Sequence, residues 1–125
     1  MKITPIVAAL FALGIGNANA ACTTASLAGS WTFLGTDGED MCTANVNTSG
    51  GISANCKNLS ANRSYTAKFS SSVSADCKLT GSATFLGSTF KFAGRVEQAA
   101  KPGTMIFRIQ NNGVSWNSAM VAYRN

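Results

Sequence analysis

The sequence predicts an all-β domain: an antiparallel, eight-stranded up-and-down meander, closed into a small barrel and tied by two disulfides. Three observations carry this. Beyond the first twenty residues helical periodicity is nearly absent, while alternation of apolar and polar residues recurs in short runs rich in Thr, Ser, Val and Phe. Turn residues separate the runs at short intervals, and no connection is long enough for a crossover helix. Four cysteines, Cys22, Cys42, Cys56 and Cys77, give the even count of a disulfide framework in a small exported chain.

The chain starts with a segment outside the fold. Lys2 supplies a positive charge, residues 6–15 are apolar and uncharged, and Ala18-Asn19-Ala20 forms an A-x-A site. That order is the order of a bacterial-type signal peptide. The apolar run falls well short of the roughly 20 residues a membrane span needs, and no later stretch reads as one. The expected organisation is a signal peptide over 1–20 and one domain over 21–125. Lipid attachment at Cys22 is the alternative, but Asn19 stands where a lipidation signal carries an aliphatic residue.

The expected strands are 30–34, 41–47, 51–56, 64–73, 77–85, 89–97, 104–110 and 114–124. Hairpin arithmetic fixes registers, because paired positions share a constant sum. Around Thr48-Ser49-Gly50 it pairs Val46 with Ile52, Ala44 with Ala54 and Cys42 with Cys56, and places Gly50 at the third loop position, where a left-handed residue is wanted. A type II′ turn at Gly87-Ser88 would pair Phe85 with Phe90, Ala83 with Phe92, Gly81 with Gly94 and Leu79 with Val96. A type I′ turn at Asn112-Gly113 would pair Ile109 with Trp116, Phe107 with Ser118 and Met105 with Met120. In each case apolar residues meet on one face, and a slip by one residue would turn them outward. The other face carries Lys91, Arg95, Arg108, Gln110, Ser115 and Asn117. An apolar face this extended must be buried, either in a closed barrel or between two packed sheets. Sequential hairpins favour the barrel, which leaves no exposed edge.

The registers also select disulfides. Cys42 lies opposite Cys56, within bridging distance. Cys22 is left with Cys77, and in a meander the start of the first strand and the turn at 74–76 share one end. Zinc is disfavoured by the absence of histidine and of C-x-x-C spacing.

The segment Leu27-Ala28-Gly29-Ser30-Trp31 resembles the G-x-W opening of the calycins: lipocalins, avidin-like proteins and small secreted inhibitors. The resemblance implies a closed barrel in which Arg124, near the end of the last strand, packs over Trp31. Gly29-Ser30-Trp31 followed by Cys42 and Cys56 also resembles the bacterial metalloprotease-inhibitor barrels and uncharacterised exported bacterial meander proteins. Those inhibitors use a free N-terminal arm. Here only Ala21 to Ala28 precede the motif, and Cys22 is expected to tie them down.

Function is less legible. With no histidine there is no Ser-His-Asp triad, Cys-His dyad or His-metal site, and no cofactor motif is present, so no catalytic residue and no metal ligand is assigned. Asp37, Glu39 and Asp40 crowd one loop; Ca²⁺ held through its oxygens is the functional alternative, but the loop lacks EF-hand spacing and reads as a solvated turn, and Asp76 reads as a turn residue. Asn47, Asn58 and Asn62 begin N-x-S/T sequons, which a bacterial leader makes idle. Loss of Lys2 leaves nine Lys/Arg against five Asp/Glu, a net charge of +4. The basic residues are scattered, so a nucleic-acid partner is not expected. Trp31, Phe85, Phe90, Phe92, Phe107 and Trp116 fall on the inward face, as core or as the lining of an apolar pocket. Gly81 and Gly94 mark either a corner of the sheet or space for a ligand. The expectation is a non-catalytic exported binding protein whose partner is a small apolar ligand or another protein. A secreted hydrolase inhibitor is the alternative.

Overall fold

A computed structural model describes residues 22–111 and 115–125, with side chains excluded for 111 and 115–117. The segment expected to be a signal peptide, residues 1–20, and the expected turn at Asn112-Gly113 lie outside the described residues. A 3₁₀ turn, Ala25–Leu27, precedes eight strands: β1 (Gly29–Gly35), β2 (Asp40–Val46), β3 (Gly51–Asn58), β4 (Arg63–Val73), β5 (Lys78–Phe85), β6 (Ser88–Val96), β7 (Thr104–Asn111) and β8 (Ser115–Arg124). Each strand pairs antiparallel with the next, and β8 returns to β1, closing the barrel.

The expected strand alternation is seen directly. In β2 the inward positions Cys42, Ala44 and Val46 are buried and their neighbours are not. In β4 the buried positions are Ala67, Phe69, Ser71 and Val73. Four inward rings, Phe33, Phe69, Phe92 and Phe107, meet with centroids 5.2–6.3 Å apart, mostly edge to face, the arrangement aromatic quadrupoles favour. They fill the middle of the barrel, so its interior is core and not a channel.

The first hairpin pairs as expected, with Cys42 opposite Cys56 and Gly50 at φ 93°. Both disulfides, Cys42–Cys56 and Cys22–Cys77, are present. They fit an oxidising environment, and the bond to Cys77 occupies the Cys22 sulfur that a lipid thioether would need.

Two registers differ from expectation. The β5–β6 hairpin turns at Leu86-Gly87, not at Gly87-Ser88. Both residues have positive φ, 52° and 78°, the pair a type I′ turn requires. Phe85 therefore faces Ser88, Ala83 faces Phe90, Gly81 faces Phe92 and Leu79 faces Gly94. The slip is an even number of residues, so the inward set survives. In β7–β8 an irregularity between Ile109 and Gln110 places Ile109 opposite Ser118, Phe107 opposite Met120 and Met105 opposite Ala122. An extra residue in one strand of a pair displaces all pairings beyond it, which simple turn arithmetic omits.

Gly81 and Gly94 are thus not opposite each other, and neither leaves room for a ligand. A Cβ at Gly94 would lie 1.9 Å from the Ile106 carbonyl oxygen, and one at Gly81 would lie 2.0 Å from that of Ser70 and 2.5 Å from the Phe92 ring. Both positions accommodate a neighbouring strand.

The meander sorts its connections between two ends. Residues 22–28, 47–50, 74–77 and 97–103 gather at one end, the base. Residues 36–39, 59–62 and 86–87 gather at the other, the mouth.

Candidate functional site

The base is a plug. Leu27 and Trp31 are fully buried, and the Trp31 indole N–H donates to the Leu27 carbonyl at 2.8 Å. The Arg124 guanidinium lies 4.6 Å from the Trp31 ring centroid, a cation–π distance. It also donates to the carbonyl oxygens of Ser26, Ala28 and Pro102 at 2.7, 2.7 and 2.8 Å. Gly29 permits this approach: its φ is 139°, and a Cβ would stand 2.8 Å from Arg124 Nη1. Cys22 then ties the arm to Cys77. Residues 22–28 are built into the fold and do not project as a free arm. At the nearby 74–77 turn, the Ser74 hydroxyl donates to Asp76, holding that carboxyl below its usual range.

The mouth is open. A cavity of about 160 Å³ enters there, floored by Phe69, Ile109 and Met120 and walled by Tyr65, Phe85 and Phe90, with Asp37 and Asp40 at its edge. Phe85 stacks on Phe90 with centroids 4.6 Å apart, and Tyr65 lies 6.1 Å from Phe85. All three are half-buried.

Register places the polar edge. Asp40 is the first residue of β2, on the same face as Cys42, and Asn58 lies opposite it on β3. Cys56 in turn pairs with Tyr65 on β4. Asp40 Oδ1 accepts hydrogen bonds from Tyr65 Oη at 2.9 Å and Asn58 Nδ2 at 3.2 Å. Burial, then the hydrogen bond to Asp40 and its negative charge, push the Tyr65 pKa far above the ordinary phenol value of 10.0. Tyr65 is therefore a neutral donor. The loop that begins at Thr36 is pinned: Asp37 Oδ1 accepts the Glu39 N–H at 2.9 Å, Glu39 accepts the Ser60 hydroxyl at 2.5 Å, and the Glu39 carbonyl accepts the Leu59 N–H at 2.6 Å.

The aromatic residues singled out in the sequence separate by depth. Trp31, Phe92 and Phe107 are buried core, whereas Phe85 and Phe90 line the mouth. The Trp116 side chain lies outside the described residues. Three mouth residues were not anticipated: Asp40, Tyr65 and Phe69. Their signal was present as parity, since Asp40-Cys42-Ala44-Val46 and Tyr65-Ala67-Phe69 each continue an inward series. Asp40 is accordingly no member of a solvated turn. Glu39 and Asp37 turn to Ser60 and to the loop backbone, and among the described residues no three His, Cys, Asp or Glu side chains meet as a metal site would require.

A second surface lies on the outer wall. Register sets Met41, Leu34, Val121 and Ile106 side by side across β2, β1, β8 and β7. Met41, Leu34 and Ile106 are 41%, 37% and 52% exposed, where outward strand positions are usually polar.

The closed eight-stranded antiparallel barrel, with Arg124 over Trp31, agrees with the calycin-like fold that the G-x-W resemblance implied. Comparison with protein-family models, curated proteins and solved structures gave no match.

Proposed function

We propose that this chain is an exported, non-catalytic binding protein of calycin type, and that it binds through the mouth of its barrel. The observation that carries the reading is the asymmetry of the two ends. The base is filled by Trp31, Leu27 and Arg124, while the mouth keeps a pocket whose aromatic walls surround a carboxylate already oriented by Tyr65 and Asn58. An apolar concavity with a few fixed polar groups is the usual form of a small-ligand site. At about 160 Å³ the pocket falls below the roughly 300 Å³ where drug-sized sites begin, so it suits a small molecule or one side chain. The leader pattern over 1–20 and the two disulfides support export, to the periplasm or the cell exterior. The inhibitor alternative loses its usual instrument, because residues 22–28 are locked into the base.

The test is a fragment screen by amide NMR on oxidised protein lacking residues 1–20. Saturable shifts confined to residues around the mouth are expected. Saturable shifts elsewhere only, or none with any fragment, would overturn the reading.

A further inference from the structure

Resting on that reading, we propose that the ligand is an organic cation: a primary ammonium group on a short apolar or aromatic stem, held at Asp40 with its stem against Tyr65, Phe85 and Phe90. Both hydrogen bonds to Asp40 land on Oδ1, leaving Oδ2 without a donor among the described residues. No basic side chain neutralises it: among the described residues the single ion pair is Lys78–Asp76 at 3.7 Å, both exposed and at the base. A half-buried carboxylate with a free oxygen favours a cationic donor over a neutral one.

The walls point the same way. Tyr65, Phe85 and Phe90 present ring faces and edges beside that carboxylate, and aromatic faces attract ammonium groups as well as alkyl stems. Inside the cavity the other charge is negative too, from Asp37 at its edge, while Arg63, which shares an adjoining groove with Asp40, forms no ion pair with it. The charged residues that line the cavity itself are Asp37 and Asp40, so an anionic ligand inside it would face carboxylates, and a neutral apolar one would leave Oδ2 unanswered. Size restricts the class. A volume of about 160 Å³ is the liquid share of roughly five waters at ~30 Å³ each, which suits n-butylammonium or benzylammonium.

The test compares benzylamine, benzyl alcohol and phenylacetate by NMR titration of the oxidised chain lacking residues 1–20. Benzylammonium is expected to bind at the mouth about tenfold or more tightly than benzyl alcohol, the advantage of one charge-assisted hydrogen bond, and phenylacetate not at all. Asp40→Asn, which keeps an acceptor for Tyr65 and Asn58, should erase the benzylammonium preference, so that benzylamine and benzyl alcohol bind the variant within about twofold of each other. Equal affinity for benzylamine and benzyl alcohol in the unmodified protein would overturn the ammonium assignment yet leave mouth binding standing. No binding by any of the three at the mouth would overturn both. A capped lysine peptide distinguishes the sources: its binding at the mouth, with failure of the norleucine version, assigns the ammonium to a protein side chain, and binding of free amines alone assigns it to a small molecule.

Discussion

Trp31 at the base and Tyr65 at the mouth are both large aromatic residues on inward positions, and they are treated in opposite ways. Trp31 is fully buried, its one polar hydrogen is satisfied by Leu27, and an arginine covers its ring. Tyr65 is half-buried, and it holds a carboxylate whose other oxygen has no donor among the described residues. The disulfides follow the same division. Cys22–Cys77 fastens the N-terminal arm over the base, whereas Cys42–Cys56 joins two strands that already pair and stands beside the mouth cavity. Polar groups at the base are satisfied for the sake of the fold. At the mouth that satisfaction from within the protein is partial. The same meander can be stabilised at one end and kept available at the other, because its hairpins send alternate loops to opposite ends.

The largest expected effect is at the base. Trp31→Ala should lower unfolding free energy by about 3–5 kcal/mol, the cost of a large buried cavity, read from urea midpoints. Tyr65→Ala should cost less than half as much, since the ring is already half exposed. Equal losses would erase the contrast.

Next come the disulfides. Each should contribute ~2–4 kcal/mol. They span 55 and 14 residues, and loop-closure entropy makes the longer one worth ~1 kcal/mol more. Denaturant curves of the Cys22→Ser/Cys77→Ser and Cys42→Ser/Cys56→Ser proteins check this, and the reverse order would mean that the mouth bridge carries native contacts the loop count ignores.

The smallest effect sharpens the description of the mouth. Tyr65→Phe should cost about 1 kcal/mol through the lost bond to Asp40. The raised pKa sets its pH dependence. A group whose folded pKa lies above its unfolded value stabilises fully below the unfolded value, near 10.0 for this phenol, and that stabilisation is lost as pH climbs toward the folded value. The stability difference between wild type and Tyr65→Phe should therefore be flat through neutral pH and shrink in strong alkali. The phenolate absorbance step of Tyr65 should come late and vanish in the variant.

Much of the fold was readable because alternation with period two is a strong constraint. It gave the number of strands, the Cys42–Cys56 pairing and the inward aromatic set. What it missed are features that keep parity or act locally. The turn at Leu86-Gly87 changes partners by an even step, so the hydrophobic pattern cannot report it, and Leu at a left-handed position carries no turn signal. The irregularity in β7–β8 depends on local backbone geometry. At the site, Asp40 looked like loop because its type is a turn former, although its parity placed it inside. That its neighbours are Tyr65 and Asn58 follows from which strands lie together, and this required the closed sheet.

The central claim is that the base is fixed and the mouth is available. Native-state amide hydrogen exchange on the oxidised protein tests it most directly. The base amides of Cys22, Val96 and Arg124, bonded to Ala75, Cys77 and Gly103, should exchange only through global unfolding. Those of Thr36 and Leu59 at the mouth, bonded to Ala119 and Glu39, should exchange through smaller local openings. Equal protection at both ends, or a base that opens before the mouth, would contradict the account.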